Sequence, residues 1–455
     1  MFGSIVGISE AHAWQEIAPD AHGDWLKLRD ASFATFIALG DKRAAEHIIF
    51  ENYTRGVQTG RDPWCYNYSR SSLVTNVQCM LDFYNQQVVD FADRCGELSK
   101  DSAEGVAKEI ISKDPTRIKW TEDLIKDVSR GLQHDFNANS IRVSIYRPFT
   151  KCWMYSNQHL NWSRYMMPKI LPDTGEENLV ICVSGTGDKL AFSALISGVT
   201  PALHMVDIEG SQCFPLYLYD SAEPVGMPPQ SGLFDVTRAT QTECTRRAAI
   251  TDAGLAHFKS AYPAESIGKE DLFYYVYGLL HSSDYRERYA DNLSKELPRI
   301  PCVKTSVDFW AFSTAGRLLA ELHLNYETVP MYTGATIDTG GKKLTDADYR
   351  VEKMRYGKSG KNKDLSTLHY NGKITVTGIP LEAYDYVVNG KPALDWVIER
   401  QCVKTDKDSG IVNDANDWAI DTMHNPRYPL DLFLRVITVS LETMKIVRSL
   451  PALEI

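Results

Sequence analysis

Apolar residues recur at spacings of three and four from Leu73 through Val77, Met80, Leu81, Tyr84 and Val88 to Phe91. That stripe predicts an amphipathic helix, with Ser71 and Ser72 as candidate N-caps. A second helix is predicted over about 120–130, with Thr121 as cap and Gly131 as stop. Between Ser140 and Tyr219 the period shortens. Ile141, Val143 and Ile145 alternate with Arg142, Ser144 and Tyr146, the pattern of a half-buried strand. Further strands are predicted at 179–183, 203–206 and 214–219. Upstream, 31–39 reads as a short helix and 50–53 as a strand, followed by a shaped, Gly-rich loop at 54–64. Residues 221–231, with three Pro and one Gly, read as a linker or surface loop.

Helical patterning returns at 271–281, 285–297 and 306–324, with Pro298 and Pro301 marking the last break. Asn371-Gly372, between two short β-prone runs, predicts a type I′ hairpin over 368–376. Three more helices are predicted at 380–389, 392–403 and 429–447, each opening on Pro. The pattern is α+β with several subdomains. A mixed α/β part (1–135) leads to a β-rich part (136–265), then a helical block (266–330), then a C-terminal hairpin and helical part (331–455).

The length, 455 residues, suits two to four domains. Apolar residues make up 44% and charged residues 24%, which excludes disorder over most of the chain. The net charge of −10 excludes a uniformly basic coat. It does not exclude DNA binding, because phosphates respond to local patches. No run of about 18 apolar residues predicts a membrane span. The N-terminus lacks a basic, then apolar, leader pattern. Nine cysteines without a Cys-x-x-Cys pair read as free thiols, and the compartment as cytoplasmic.

Familiar catalytic signatures fail one by one. Gly357-Lys358-Ser359 ends like a phosphate-binding loop, but Glu352 stands where its first Gly belongs. Asn425-Pro426-Arg427-Tyr428 approaches the turn that holds a flipped base in amino-methyltransferases, but its third position is Arg. Ser184-Gly185-Thr186-Gly187-Asp188 reads as a turn between strands. The 11 histidines show no metal-ligand spacing and no Gly-x-Ser-x-Gly elbow occurs. The residues therefore point to no catalytic centre and no metal site in this chain.

Two segments carry binding chemistry instead. Between Arg130 and Ile170, six basic side chains face one acid, a net of +5, with seven aromatics interleaved. Arg142, Arg147, Lys151, Trp153 and Arg164 are its candidate DNA-binding residues, through phosphate neutralisation and base-edge contacts. A strand pair with aromatic core and solvated basics is the competing reading. Gly341 to Lys373 also nets +5. It offers Lys353, Arg355, Lys358, Lys361 and Lys363, the last three on a flexible stretch suited to a phosphate backbone or simply to solvent. Arg61, on the Gly-rich loop, is a further candidate. Alternatively it pairs with Asp62 or holds the loop together.

Four stretches resemble the single-polypeptide, translocating type I (type ISP) restriction–modification enzymes. They are Gly56-Val57-Gln58-Thr59-Gly60-Arg61-Asp62-Pro63-Trp64-Cys65-Tyr66-Asn67, Tyr146-Arg147-Pro148-Phe149-Thr150-Lys151-Cys152-Trp153-Met154-Tyr155, Phe214-Pro215-Leu216-Tyr217-Leu218-Tyr219, and the segment from Tyr370 to Ile411. The last is the most specific; the second is shared with other large adenine methyltransferases. In that family one polypeptide carries a nuclease, a helicase-like motor, an N6-adenine methyltransferase and a C-terminal target-recognition part. This chain resembles only the target-recognition part, with 1–135 adjoining the methyltransferase, 136–265 as the DNA-recognition part, and Phe2 to Ile8 as a remnant of the methyltransferase end. The resemblance implies sequence-specific recognition of double-stranded DNA. The methyltransferase and motor-nuclease would come from missing domains or a partner chain and would use S-adenosylmethionine, ATP and Mg. The other readings are an autonomous, degenerate adenine methyltransferase with a cofactor pocket near 184–188 or 425–428, a nuclease, or a decoy that occupies such an enzyme.

Overall fold

The Arg70–Cys95 helix buries Leu73, Val77, Met80, Leu81, Tyr84, Val88 and Phe91, the stripe that the spacing predicts. Each such side chain contributes roughly 1.5–3 kcal/mol of transfer free energy. The helix starts two to three residues earlier than expected. Ser69 is the cap, its hydroxyl accepting from the Ser72 amide at 3.3 Å, so Ser71 and Ser72 lie inside the first turn. The helix packs with the Lys100–Ile110 and Glu122–Ser129 helices around a small core that also takes Trp64, Tyr155 and Leu160. Gly131 ends the last of these with φ +70°. The structure is a computed structural model and describes residues 18–44, 46–95, 100–172, 175–187, 190–221 and 244–455. The stretches 2–8 and 222–231 read from the sequence lie outside them.

Two four-stranded sheets form the β-rich part. In one, the order is Tyr66–Asn67, Thr150–Tyr155, Ile141–Arg147 and Thr200–Pro201, with the last pair parallel. In the other, the order is Thr54–Arg55, Gln212–Pro215, Val180–Val183 and Ala194–Ser197, all antiparallel. Val180–Val183 is buried at every position, which is why it reads as a continuous apolar run. The strand expected at 214–219 divides at Leu216 into Gln212–Pro215 and Tyr217–Ser221, which belong to different sheets. The strand expected at 203–206 is a turn. Met205 and Val206 are fully buried there, and the Val206 amide bonds to the Ser211 hydroxyl at 2.9 Å. Burial, not extension, made that run apolar. At 50–53 only Phe50 bridges, to Ile250, and the strand lies one step on at Thr54–Arg55. The helix expected at 31–39 is a 3-10 turn, Ala31–Thr35.

The helical block holds Lys269–Leu279, Ser283–Arg288, Ala290–Leu293 and Ser306–Leu324, so the helix expected at 285–297 breaks at Tyr289. Lys269–Leu279 and Ser306–Leu324 cross at Gly278 and Gly316. A Cβ on Gly316 would sit 1.8 Å from the Tyr274 carbonyl oxygen. The C-terminal part ends in Ala393–Arg400 and Tyr428–Arg448. The stretch 380–389 is a 3-10 turn, Leu381–Tyr384, followed by a short strand rather than a helix. The main core runs from Phe33 to Val439 and draws side chains from all four segments of the sequence division.

A third antiparallel sheet has the order Thr336–Asp338, Thr375–Thr377, Asn362–His369, Arg355–Ser359. The chain does reverse at Asn371-Gly372, but not through a type I′ turn. That turn needs positive φ at both central residues, and neither residue has it. Instead the Asn371 side-chain oxygen accepts the Lys373 and Ile374 amides at 2.8 and 2.9 Å. Its amide nitrogen donates to the Asp348 and Arg350 carbonyls, both at 2.9 Å. The tight hairpin is at Gly360-Lys361, where the sequence suggested a flexible stretch. Ser359 pairs with Asn362, and Gly360 has φ +63° at the first central position, as a type II′ turn requires. No helix among the described residues is long and apolar enough to cross a membrane.

Candidate nucleic-acid interface

The Gly-rich loop is shaped by pairing with the loop at 157–165. Gln58 and Ser163 exchange amide–carbonyl bonds at 2.9 Å, and the Trp162 amide bonds to the Thr59 carbonyl at 3.2 Å. Gly60 has φ +70°, and a Cβ there would press on Trp162 at 3.3 Å. The Trp162 ring stands out, 59% exposed, and the Tyr165 hydroxyl donates to the Gln58 side chain at 2.8 Å. Beside this loop pair lies a cleft of about 590 Å³, lined among others by Gln58, Lys119, Arg147, Trp162, His204 and Asp408.

Arg61 is not available to a ligand. It is 1% exposed. Its guanidinium donates to the carbonyls of Lys119 and Leu160 and, at 3.0 Å, to the Thr121 hydroxyl. Burial pulls its pKa below the usual value. Arg61 therefore holds the loop together, the second of its sequence readings, and this corrects its place among the DNA candidates. Thr121, predicted as a cap, accepts this bond and makes no side-chain cap bond of its own.

The strand residues are also largely committed. Lys151 pairs with Glu327 at 2.6 Å, and Glu327 also accepts the Tyr428 hydroxyl at 2.5 Å. The Trp153 indole donates to the Thr422 hydroxyl at 3.2 Å and packs near Trp418. Lys151 thus ties the strand to the helical block, and Trp153 ties it to the C-terminal part. Arg142 donates to the Leu171 carbonyl at 3.3 Å. Arg147 lies over the Tyr146 ring at 4.1 Å and reaches the cleft. Arg164 follows Trp162 on the exposed loop and is half-buried. Trp162 is the exposed tryptophan of this segment. It sits in a polar turn, whereas Trp153 sits inside a strand, and that contrast is the available sequence signal.

A smaller cleft, about 170 Å³, adjoins the first and shares Asp62, Pro63, Tyr66 and Asp406 with it. Arg400 and Lys404 line its far side. Asp62 accepts the Tyr146 hydroxyl at 3.0 Å and the Thr59 hydroxyl. Burial pushes the Cys65 thiol up to about 12 and raises the Cys152 thiol as well. Such thiols stay protonated and are poor nucleophiles. Asp406, Ser409 and Ile411 belong to the hairpin that joins Val403–Thr405 to Val412–Asp414. Three of the four resembling stretches thus meet at this pair of clefts.

The Val403 amide bonds to the Glu352 carbonyl at 3.0 Å, and Arg350 pairs with Asp414 at 2.6 Å. These bonds lead to a third, shallow cleft lined by Lys353, Arg355, His369 and Lys373. Lys353, Arg355, Lys358, Lys361 and Lys363 are all exposed and form no ion pair among the described residues. The structure thus brings Arg147, Arg164 and the 353–363 cations to the surface. It turns Arg61, Lys151 and Trp153 inward.

The near-misses of the sequence have structural work. Asn425 bonds to Asp431 at 3.0 Å and accepts the Arg427 amide at 3.0 Å, opening the last helix. Tyr428 is 2% exposed. Ser184 is buried and bonds across to Ser193. Asp127, His134 and His159, from separate segments, bring ligand atoms within 4.8 Å of one another. His134 bonds to Asp127 at 3.1 Å and stacks on His159 at 4.5 Å.

Residues 48–432 match the family model of the type ISP C-terminal specificity domain. Among solved structures, the chain is similar to a nuclease-deletion mutant of the type ISP restriction–modification enzyme LlaGI in complex with a DNA substrate mimic. The TM-score is 0.80 and the identity 34%, over 98% of this chain and 31% of that one. It is also similar to the ATP-dependent type ISP enzyme LlaBIII bound to DNA, with TM-score 0.80 and 35% identity over 97% of this chain and 26% of that one. A DrdV–DNA complex matches with TM-score 0.78 and 30% identity, over 98% and 41%. The chain therefore spans well under half the length of these relatives. No curated protein matches the sequence.

Proposed function

The chain belongs to the type ISP C-terminal specificity family, and from that membership we propose that it recognises a short sequence in duplex DNA for a restriction–modification enzyme of that kind. The observation that carries the reading is a set of three clefts. Two share Asp62, Pro63, Tyr66 and Asp406, the first of them lined by exposed Trp162, and the third, bonded to the 403–414 hairpin through Glu352 and Arg350, is lined by the exposed cations Lys353 and Arg355. Cations in such clefts set the register on phosphates, while a few polar and aromatic side chains meet base edges. Gln58, with both donor and acceptor groups, and Trp162 are the side chains placed for the second task. Likeness to structures solved with DNA, over nearly the whole chain, supports the same reading.

N6-adenine methylation, translocation and cleavage would then be performed by methyltransferase, motor and nuclease parts, on the same polypeptide or on a partner chain. Those parts would use S-adenosylmethionine, ATP and Mg. With duplex DNA as its ligand, the chain would work in the cytoplasm. Selection from a random duplex library at rising salt tests the proposal. Enrichment of one short asymmetric sequence, with affinity falling linearly on a log–log salt plot, is expected. Recovery of an unenriched pool overturns sequence recognition.

A further inference from the structure

The hairpin formed by Arg355–Ser359 and Asn362–His369 has two unlike halves. Near the sheet, Arg355 pairs with His369 and Tyr356 with Leu368. The register then jumps, and Gly357 pairs with Asp364. Thr367 meanwhile pairs with Thr377 on the next strand. A bulge of this kind bends and twists a strand pair. The outer half, 357–364, therefore leaves the sheet as a short ribbon of its own. Its root is fixed. Tyr356 bonds to Asp395, and a Cβ on Gly357 would come within 2.9 Å of Thr367.

The charge on that ribbon works against its fold. Lys358 and Lys363 are direct cross-strand partners, and Lys361 sits at the tip between them. Like charges directly opposite destabilise a strand pair. All three are exposed and form no ion pair among the described residues. The nearby Asp364 carboxylate is used by the Ser366 amide and hydroxyl, at 3.0 and 2.6 Å. Lys363 has only the Tyr356 ring, 5.4 Å away.

Resting on the DNA reading above, we infer that the 357–364 ribbon is a sequence-independent phosphate clamp. It grips the duplex backbone beside the third cleft and reads no bases. Three cations spaced across a two-residue turn suit a line of phosphates, which relieves their mutual repulsion. The strand that carries the ribbon begins at Arg355, which lines the third cleft with Lys353, so the ribbon continues from the edge of that cleft.

The test uses the full chain and its library-selected duplex, with a scrambled duplex of equal length. Affinities are measured over a salt series for the wild type and for the K358Q/K361Q/K363Q variant. The variant is expected to lose up to about 2.7 from the magnitude of the log–log salt slope, about 0.9 for each phosphate contact. The ratio of affinities for the two duplexes should stay constant. An unchanged slope overturns the clamp, and so does a collapsed ratio, which would mean base reading. A wild type with no salt-dependent duplex binding fails the DNA reading itself and is told apart by that. The single K361E variant, on an exposed turn, repeats the slope measurement should the triple variant lose its far-UV spectrum.

Discussion

The Arg61 guanidinium donates to the Thr121 hydroxyl at 3.0 Å, joining the Gly-rich loop to the first turn of the Glu122–Ser129 helix. One bond thus replaces a helix cap and anchors the loop that carries Gln58. Replacing Arg61 by Met would leave the Lys119 and Leu160 carbonyls without their donor. Loss of about 3 kcal/mol of stability is expected, because buried groups would lose charge-assisted bonds. Urea unfolding measures it. Among the molecules that remain folded, the salt slope of DNA binding should not change, since this charge faces no phosphate.

Trp162 makes the opposite case. The ring is mostly exposed, so Trp162→Ala should alter stability by no more than about 0.5 kcal/mol. If the ring lies against DNA, affinity for the selected duplex should fall about tenfold, or about 1.4 kcal/mol. Titration of a labelled duplex reads this directly; an unchanged affinity would remove Trp162 from the interface.

The crossing of Lys269–Leu279 with Ser306–Leu324 sets a steric limit. Gly316→Ala drives a methyl group into the Tyr274 carbonyl and should cost about 3 kcal/mol or prevent folding. Gly105→Ala, on the Lys100–Ile110 helix with nothing within 4 Å, should instead stabilise by about 0.5–1 kcal/mol. Denaturation midpoints of the two variants should move in opposite directions.

Two buried histidines give the fold a pH dependence. His323 lies 2.7 Å from the Tyr277 hydroxyl and 2.9 Å from the Thr443 hydroxyl, and His281 lies 2.9 Å from the Tyr277 carbonyl. Burial, with the Arg286 charge adding to it, lowers the His323 pKa to about 3 and holds His281 well below its usual value. The native state therefore refuses protons that the unfolded chain accepts below about pH 6.5. Stability should be level above that pH and fall as pH drops, by about 1.4 kcal/mol per pH unit for each histidine. Urea midpoints from pH 7.5 to 5 should show the fall, and His323→Gln should roughly halve its slope.

Periodicity was a sound guide where one element buries one face. The Arg70–Cys95 stripe and the Ser306–Leu324 helix stand where their spacing places them. It failed where a run is apolar for another reason. Met205 and Val206 are buried in a turn, and the stretch at 285–297 is interrupted at Tyr289. The Asn-Gly signal located a chain reversal but not its type, because the Asn371 side chain bonds to the backbone at Asp348 and Arg350, more than 20 residues away.

By itself, the sequence determined the α+β class, the long helices, the two basic segments and the family, since these rest on local spacing and on short stretches of fixed residues. Only the tertiary structure decided which charges face outward. Arg61, Lys151 and Lys361 are equivalent as letters, each a cation near a glycine or an aromatic. Arg61 is enclosed by carbonyls from Lys119 and Leu160, Lys151 is paired with Glu327 from the helical block, and Lys361 is exposed. The availability of a charge is set by partners distant in the chain, and local pattern carries no information about them.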